Sequence, residues 1–577
     1  MSCYRQKIVT STKNILYIKK YIFSSIAIFP PHLHGESMKE NERYDYIVVG
    51  GGSAGCVVAG LLAERTSARI LLLEAGPEDK GLFIRMPAGF PEIVGKLVWP
   101  YQSDAEPHMG NRAIGIPQGR VLGGGSSVNG QLYVRGHAQD YDDWETQEGC
   151  TGWGYRDVLP YFIRSECNQS LHDDYHGDSG HLKVSDSGYR HPLSYAIVKA
   201  GQELGYPYLN DFNGASQQGI GFYQTTTYQG HRCSTSVAYL APVRQHANLQ
   251  VMTGVLVERL LLEQDRATGV VFTDAEGKRQ QALASREVVL CAGAIGTPKL
   301  LMLSGIGPAE HLREVGIKPQ VDSPLVGQRL QDHLHFSVIA SLRKPISLLG
   351  QDKGLKALAN GLEWLLFKRG ICASNLLECG GFFATGGDDR PDVQLMGLAA
   401  SDNVDDKGKQ AQNQHALSLK LAHLRPLAQG EVRLRDGNPR SLPQISLNYM
   451  GTPEDVAAQV RAVRLGLQLF QAPALASLID RVLLPAPNLN SDEQLASFVR
   501  EHGKTEYHPT GTCRMGADPA TSVVDLALRL RGVAGVRIAD ASIFPRIPAG
   551  NTNAPTIMVA ERAVDLMLAT SQEQEHA

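Results

Sequence analysis

The sequence lacks the features that mark several classes of protein. No segment approaches the roughly 18 uninterrupted apolar residues that a transmembrane helix needs, so none is predicted. The nine cysteines form no CxxC pair and no zinc or iron–sulfur spacing, and their odd number argues against a complete disulfide framework. We therefore expect no metal site, and we predict the reduced thiols that are usual in a cytoplasmic protein.

A large excess of charge of one sign is also lacking. Lys and Arg number 56 against 59 Asp and Glu, so the formal net charge is −3 and nothing attracts the chain globally to nucleic acid. What the chain does have is 43% hydrophobic residues over 577 positions, enough to bury a large core in more than one domain. Its 59 glycines fall in clusters, which indicates tight turns that bring the backbone against a ligand.

The N-terminal segment differs from the rest of the chain. Its lysines precede a short apolar run at residues 22–29, as in a secretory signal. Two serines interrupt this run, two prolines end it, and no small-residue cleavage site follows. We expect residues 1–43 to be a disordered or spurious extension, with Met38 as a second candidate start and a targeting segment as the alternative.

The first predicted fold element is a strand at residues 44–49 that opens into Gly-Gly-Gly-Ser-Ala-Gly at 50–55. A small apolar segment suited to a helix follows at 56–63, and a second strand at 69–73 ends at Glu74. Together these elements predict a dinucleotide site, in which the helix N-terminus meets the pyrophosphate and Glu74 meets the ribose diol. The cofactor residues predicted here are Gly50, Gly52, Ser53, Ala54, Gly55, Glu74 and Ala75. The motif alone leaves NAD and FAD open.

Further segments carry glycine and polar residues in a fixed pattern, at 119–129, 293–307, 507–516, 540–542 and 550–556. Three consecutive glycines at 123–125 allow the backbone to lie flat against a planar ligand, and Arg120 offers charge to a pyrophosphate. In this order the segments resemble the signatures and C-terminal blocks of the glucose–methanol–choline (GMC) family of flavoprotein oxidoreductases. The resemblance covers residues 44 to about 568.

The resemblance implies an α/β fold, α+β overall, in which a Rossmann-like FAD-binding domain is interwoven with a substrate-binding domain. The FAD-binding domain would comprise residues 44–155, 230–330 and 500–568, and the substrate-binding domain 156–229 and 331–499. Further FAD contacts implied by the family pattern are Arg120, Gly123, Gly124, Ser126, Asn129, Gly130, Val257, Asp540, Ala541, Asn551 and Thr552. Some members bind FAD covalently through a histidine, but that position is Val128 here, so we expect non-covalent FAD.

The resemblance also implies a catalytic pair, His508 and Asn551. FAD would take the hydride of an alcohol at its N5 atom, and neutral His508 would take the hydroxyl proton as general base. Because the pKa of an ordinary imidazole is close to working pH, the rate is expected to rise as His508 loses its proton. Asn551 would hold the hydroxyl and the developing alkoxide, although an asparagine in such a turn can be purely structural. We expect His333 to be an ordinary surface or core histidine.

Within the family, the chain resembles the bacterial alkanol dehydrogenase and choline dehydrogenase branches. The implied function is oxidation of a primary alcohol to the aldehyde, with electrons passed to a quinone-type or other acceptor. The alternatives are a choline dehydrogenase, an oxygen-using alcohol oxidase, a lyase that keeps FAD as a structural part, and a binding protein that has lost its activity. No residue separates the dehydrogenase from the oxidase.

Two further features bear on substrate and location. Glu378 is a candidate carboxylate for a cationic substrate, but its neighbours Leu376 and Leu377 are aliphatic, so we expect aliphatic or aryl-alkyl alcohols to outperform choline. A carboxylate that satisfies nearby backbone is the other interpretation of Glu378. Residues 355–367 predict an amphipathic helix that docks on a membrane, lines a substrate entrance, or simply faces the core. The expected location is cytoplasmic, with peripheral attachment to the inner membrane as an addition.

Overall fold

The computed structural model describes residues 42–402 and 414–576, with side chains up to residue 570. Apart from residues 42 and 43, the predicted N-terminal extension lies outside these ranges. The chain from Arg43 onward forms one compact unit.

The α-helices of the described part vary from single turns to a long C-terminal helix. They are α1 (Ser53–Arg65), α2 (Leu82–Arg85), α3 (Phe90–Ile93), α4 (Gly125–Val128), α5 (Ala138–Thr146), α6 (Tyr155–Ser165), α7 (Pro192–Glu203), α8 (Gly293–Leu303), α9 (Ala309–Glu314), α10 (Gly354–Phe367), α11 (Pro453–Gln471), α12 (Pro473–Ala476), α13 (Asp492–His502) and α14 (Asn553–His576).

The strands of the described part form two large sheets and several small ones. They are β1 (Glu42–Val49), β2 (Ile70–Glu74), β3 (Val98–Trp99), β4 (Gln118–Gly119), β5 (Glu166–Asn168), β6 (Leu182–Asp186), β7 (Tyr208–Leu209), β8 (Gly219–Phe222), β9 (Gln224–Thr225), β10 (Thr227–Tyr228), β11 (His231–Arg232), β12 (Leu249–Thr253), β13 (Leu256–Glu263), β14 (Arg266–Thr273), β15 (Arg279–Leu290), β16 (Ile306–Gly307), β17 (Val321–Asp322), β18 (Gln328–Leu330), β19 (Leu334–Leu342), β20 (Cys379–Phe383), β21 (Val393–Leu398), β22 (Ala416–His423), β23 (Gly430–Arg433), β24 (Gln444–Ser446), β25 (Ile479–Leu484), β26 (Lys504–Thr505) and β27 (Val536–Ile538).

The first large sheet is seven-stranded, in the order β12-β2-β1-β15-β14-β13, with β27 paired to β15. Strands β1, β2 and β12 run parallel, and all five residues of β2 are buried, as expected for a sheet covered on both faces. Helix α1 connects β1 to β2 and is buried continuously from Ala54 to Ala63, because it lies between this sheet and other elements. The α/β, Rossmann-like fold predicted from the glycine motif is confirmed.

The second large sheet is eight-stranded, in the order β25-β19-β22-β21-β20-β8-β7, with β26 paired to β19. Side chains alternate along β19, so Leu334, Phe336 and Val338 enter a large apolar core together with leucines of β22 and residues of α11. The same alternation places His335 and Ser337 on the opposite face. That second face carries the polar residues of the candidate site.

The two sheets draw on different parts of the chain. Strands of the first sheet fall within the stretches expected to bind FAD, except that β1 begins at Glu42, and strands of the second fall within the expected substrate-binding stretches, except for β26. The exact division into two interwoven domains stays a prediction. Within the described ranges, no helix is both long and apolar enough to cross a bilayer, and no group of three His, Cys, Asp or Glu could hold a metal ion.

Candidate active site

The predicted dinucleotide turn lies between β1 and α1, and two of its glycines touch. A Cβ atom on Gly55 would lie 1.8 Å from the carbonyl oxygen of Gly50, so helix and strand approach as closely as they do only because position 55 is glycine. Gly52 caps α1, and no side chain of the described residues caps the helix in its place. The N–H groups of the first turn therefore remain available to an anion.

The turn is tied to the far end of the chain. The Ser53 hydroxyl donates to Oδ1 of Asn553, the first residue of α14, over 2.8 Å and 500 positions of sequence. Arg65, at the end of α1, forms an ion pair with Asp565 of α14 at 3.0 Å. The first cofactor loop thus rests on the last helix.

Glu74 lies where the motif predicts, at the end of β2 beside the turn. Its carboxylate accepts hydrogen bonds from the N–H groups of Gly51, at 2.8 Å, and Gly76, at 2.6 Å. Burial raises the pKa of Glu74 to about 7, while these two N–H donors act in the opposite direction. Val257 follows in β13, and its neighbour Val255 donates its N–H to the carbonyl of Glu74. These contacts fix the carboxylate at the edge where a ribose would bind.

A second loop, residues 120–130, packs against the first. A Cβ on Gly124 would lie 2.6 Å from Cα of Gly52, and the N–H of Gly123 donates to the carbonyl of Gly51 at 2.7 Å. The exposed guanidinium of Arg120 stacks 4.5 Å from the ring centroid of Trp99. The two glycine-rich loops that the sequence assigns to the cofactor are therefore neighbours.

Polar side chains anchor the end of this second loop. Ser126 Oγ donates to the carbonyl of Gly123 and accepts the N–H of Thr235 at 3.0 Å. Oδ1 of Asn129 accepts from Arg232 at 2.8 Å, and the carbonyl of Gly130 accepts from the Asn375 amide at 2.8 Å. The side chains of Ser126 and Asn129 thus shape the loop from within.

The residues near the C-terminus that are predicted to contact FAD also form hydrogen bonds within the protein. The Asp540 carboxylate accepts from Thr297 Oγ1 and from the N–H groups of Gly293, at 2.8 Å, and Ser542. It therefore caps the N-terminal end of α8. The carbonyl of Ala541 accepts the N–H of Gly511, and Thr552 directly precedes α14.

The two residues predicted as a catalytic pair lie side by side. Nε2 of His508 is 3.3 Å from Nδ2 of Asn551, although 43 positions separate them in sequence. His508 is 8% exposed, and Asn551 is half-buried. Oδ1 of Asn551 in turn accepts from Nε2 of Gln394, on β21 of the second sheet, at 3.1 Å. The pair lies where the second sheet meets the loop before α14.

A second histidine completes the arrangement. Nδ1 of His333 lies 3.0 Å from Nδ1 of His508, and Nε2 of His333 lies 3.1 Å from the carbonyl oxygen of Leu424. A carbonyl can only accept, so His333 carries its proton on Nε2 and its Nδ1 accepts. His508 then carries its proton on Nδ1, which leaves Nε2 as a lone pair facing Asn551. The chain of hydrogen bonds fixes the tautomer that a base at Nε2 requires.

Burial decides the charge of this base. It lowers the pKa of His508 to about 4, with nearby Glu506 acting in the opposite direction. Burial and the neighbouring His508 also hold the pKa of His333 well below its ordinary value. This corrects the expectation that His508 titrates near neutral pH, because the imidazole is already neutral throughout that range.

A buried carboxylate beside the pair holds the backbone of His508. Asp332, next to His333, accepts the N–H of His508 at 2.8 Å and the hydroxyls of Tyr449 and Thr505. Burial raises the pKa of Asp332 to about 6, and the three donors oppose that shift. His508 is therefore held at its main chain as well as at its ring.

Glu378 does not face this pair as an open carboxylate. Its oxygens accept from the N–H of His191 at 2.5 Å and from the hydroxyls of Ser194 and Ser374 at 2.8 and 2.7 Å. His191 and Ser194 lie at the start of α7, so the carboxylate of Glu378 caps the N-terminal end of that helix. This geometry matches the interpretation in which the carboxylate satisfies nearby backbone.

The family assignment follows from comparison with known proteins. The two parts of the GMC oxidoreductase family model match residues 44–335 and 426–560. The chain belongs to the GMC oxidoreductase family. As a GMC oxidoreductase it is an enzyme that acts on CH–OH donors, as the resemblance implied.

Curated relatives span nearly the whole chain. An oxygen-dependent choline dehydrogenase of Sinorhizobium fredii is 41% identical, covering 91% of this GMC oxidoreductase and 95% of the relative. An alcohol dehydrogenase (acceptor) of Pseudomonas putida is 40% identical, covering 91% and 96%. Among solved structures, pyridoxine 4-oxidase from Mesorbium loti has a TM-score of 0.82 at 30% identity, covering 90% and 98%. Formate oxidase from Aspergillus oryzae has a TM-score of 0.87 at 26% identity, covering 93% and 100%.

FAD is the cofactor of this GMC oxidoreductase, and its residues fit the group. A Cβ added to Gly52 would meet no described atom closer than 3.9 Å, so there is open space in front of the uncapped end of α1. The buried carboxylate of Glu74 lies at the strand end beside that space. An anionic pyrophosphate and a ribose diol match these two features.

Sequence reasoning missed two residues of the site. His333 was expected to be an ordinary histidine and is instead hydrogen-bonded to His508 from 175 positions away. Gln394 carries no motif at all, and only the register of β21 places it opposite Ala422, near Asn551. The one available signal was the adjacency of Asp332 and His333 in a polar turn just before a strongly apolar strand.

Proposed function

We propose that this GMC oxidoreductase oxidises primary alcohols to aldehydes, with His508 as general base and Asn551 as the partner of the reacting oxygen. The observation that carries the proposal is the hydrogen-bond chain that leaves the lone pair of His508 Nε2 beside the Asn551 amide. These nitrogens are 3.3 Å apart, so an alcohol hydroxyl that lies to one side, within reach of both, donates to Nε2 and accepts from Nδ2. Its proton passes to Nε2, while the amide stabilises the developing alkoxide.

When bound, FAD supplies the two-electron acceptor for the hydride of the carbinol carbon. The residues proposed to hold it are those of the two glycine-rich loops, Glu74, Val257, Asp540, Ala541, Asn551 and Thr552. Val128 offers no nucleophilic atom, so the attachment is non-covalent.

His333 and Gln394 are proposed as positioning residues. His333 accepts the Nδ1 proton of His508 and so keeps Nε2 free, while Gln394 fixes the amide of Asn551 by binding its oxygen. Hydrogen bonds of this kind hold His508 and Asn551 in place before the substrate binds. Neither residue needs to touch the alcohol.

The proposed substrates are aliphatic or aryl-alkyl alcohols. An apolar cluster adjoins the pair, with Leu132, Leu377, Met396, Leu424 and Ala549 among its members. Such a wall gains roughly 0.8 kcal/mol for each methylene buried against it. Recognition of a quaternary ammonium benefits from a free carboxylate, and Glu378 is already bound by three donors.

Choline is the second candidate substrate, because several relatives at about the same identity carry the name choline dehydrogenase. Aromatic faces of Tyr223 and Phe382 belong to the apolar cluster and would suit a cation. Direct competition between substrates separates the two candidates.

We propose a quinone-type molecule as the electron acceptor, and a cytoplasmic enzyme attached peripherally to the inner membrane. All eight cysteines in the described part are free, which agrees with a reducing compartment. Oxygen is the alternative acceptor, since two of the similar structures are named as oxidases. Peroxide release measured against reduction of an artificial dye decides between them.

The test of the reaction is anaerobic mixing of the yellow protein with ethanol, butanol, octanol, benzyl alcohol and choline. We expect the flavin band to bleach with the primary alcohols, and kcat/KM under one artificial acceptor to rise along the chain series until the pocket is full. First rank for choline would replace the alkanol assignment. Absence of bleaching with every alcohol would point to a lyase that keeps FAD as a structural part.

A further inference from the structure

Helix α10 turns its leucines to solvent. Leu355, Leu358, Leu362 and Leu366 follow at intervals of three and four residues and are 84%, 43%, 44% and 67% exposed. This spacing places them along one face of the helix. All four therefore belong to the exposed side chains of the protein and not to its core. The sequence interpretation in which this helix faces the core is therefore wrong for its leucine face.

Trp364 explains the orientation. It lies about half a turn away from the leucine stripe at 100° per residue, is 1% exposed, and packs with Met86 and Ala373. Its indole N–H donates to the carbonyl of Gly230 at 2.7 Å. The helix is thus fastened to the protein by the tryptophan, and the opposite face is left outward.

Basic residues flank the stripe at both ends. Lys353 and Lys356 stand exposed near the start of α10, and Lys368 and Arg369 follow its end. Two acidic residues lie among these four basic ones, exposed Asp352 and Glu363, which pairs with Arg369 at 3.3 Å, so a net charge of +2 remains. Nζ of Lys368 lies 4.5 Å from the ring centroid of the inward-facing Trp364, so the outward positive charge is mainly that of Lys353 and Lys356. Phe367 is 62% exposed beside Arg369. An exposed apolar stripe with net positive charge beside it is the pattern of a helix that lies in the plane of an anionic membrane surface.

The surface lies close to the cofactor loops. Gly230, which holds Trp364, belongs to the turn between β10 and β11, and Arg232 of β11 donates to the carbonyl and Oδ1 of Asn129 at 2.8 Å. Arg232 also donates to the carbonyl of Ile84 in α2, a helix that adds exposed Leu82 and Phe83. One hairpin therefore connects the leucine face to the loop assigned to FAD.

We infer that the leucine face of α10 docks this enzyme on a bilayer that carries anionic headgroups. A second copy of the chain fits the face less well, because pairing it with itself would bring the same cations together. The docking places the FAD loops near the membrane, where a lipid-soluble quinone is found. The docking inference rests on the peripheral attachment proposed above and names the surface that makes it, whereas the consequence for the quinone rests also on the proposed reaction.

The experiment is co-sedimentation of the full-length holoenzyme with vesicles of equal parts phosphatidylglycerol and phosphatidylcholine, and with pure phosphatidylcholine. We expect binding to the anionic vesicles that weakens in high salt. The partition coefficient for the neutral vesicles should be lower by about tenfold or more. The double variant Leu362→Ser/Leu366→Ser should lower the partition coefficient by roughly tenfold or more, since both side chains would leave the interface. The matched control is Leu427→Ser, a leucine that is 56% exposed elsewhere.

Charge is tested separately. Lys353→Gln/Lys356→Gln should weaken binding to anionic vesicles, whereas Lys278→Gln/Lys318→Gln, which removes the same charge from other exposed sites, should not. Wild-type binding equal on both vesicle types, no binding at all, or full binding by the leucine variant would overturn the inference. So would a leucine-dependent dimer in the absence of vesicles. Dye-linked alcohol oxidation in solution monitors the proposed reaction independently, so that either idea can fail alone.

Discussion

Lowering the pH tests the account of His508 most directly. With a pKa of about 4, the base is about 97% neutral at pH 5.5, whereas an ordinary imidazole with a pKa of about 6.5 would be only about 9% neutral there. The rate of flavin reduction by alcohol should therefore stay nearly constant from pH 9 to about 5.5. It should fall tenfold per pH unit only below about pH 4.

The measurement is anaerobic stopped-flow mixing with saturating alcohol, following loss of the oxidised flavin band at each pH. Because this records the first half-reaction alone, the acceptor and its own pH dependence do not enter. The His508→Ala variant, measured over the same pH range, provides the control. Its residual rate should no longer fall at low pH. Flavin fluorescence at each pH shows whether the cofactor is still bound.

A midpoint near pH 6.5 would refute the reasoning, because it would mean that burial does not hold the ring of His508 neutral. A profile without any acid limb, together with a mild His508→Ala phenotype, would move the base to another residue. The sequence alone predicts a rise across neutral pH, so the two interpretations differ by about 2.5 pH units in the midpoint of the acid limb.

The lowered pKa of His508 also makes the free energy of unfolding depend on pH. Between pH 6.5 and about 4 the unfolded chain binds a proton at His508 that the folded protein does not, so stability falls as the pH is lowered through this window. The full effect is roughly 3 kcal/mol, reached below pH 4 and absent above pH 6.5. Denaturant melts of wild type and His508→Ala at pH 7 and 4.5 measure it, and the variant should lose less stability on acidification.

Three further outcomes are expected. His508→Ala should slow flavin reduction by about 10² to 10⁴-fold while the FAD-to-protein absorbance ratio stays unchanged, since the partners of the ring among the described residues are His333 and Asn551. Acid precipitation should release the yellow colour into the supernatant, because Val128 offers no atom for a covalent bond; a yellow pellet would contradict this. Gly55→Ala should lower FAD content and the melting temperature, at a cost of about 3 kcal/mol or more, because its Cβ would meet the Gly50 carbonyl at 1.8 Å. Gly95→Ala, where no described atom lies within 4 Å, is the control.

The cofactor half of the molecule could be predicted well because its signals are local. The strand predicted at 44–49 spans Glu42–Val49, and the helix predicted at 56–63 spans Ser53–Arg65. Propensity and periodicity do not mark the added residues, since the strand is extended by pairing with its neighbours and the helix begins directly after Gly52. The helix predicted at 355–367 spans Gly354–Phe367.

The substrate half could not be predicted to the same depth. Gln394 reaches Asn551 only because β20, β21 and β22 pair in a particular register, and nothing local in the sequence fixes that register. The role of Glu378 depended on which of its neighbours offered donors, and two of the three, His191 and Ser194, lie at the start of α7, some 184 to 187 positions away. The direction of the leucine face likewise depended on Trp364 having a partner at Gly230.

The bond between Ser53 and Asn553 bears on how the enzyme is made. At about 5–20 residues per second, the ribosome adds Asn553 roughly 25 to 100 s after Ser53. During that interval the nascent Rossmann turn lacks the helix on which it rests in the folded protein. We therefore expect the cofactor loop to reach its final form late in synthesis, and a truncation before α14 to remove this support.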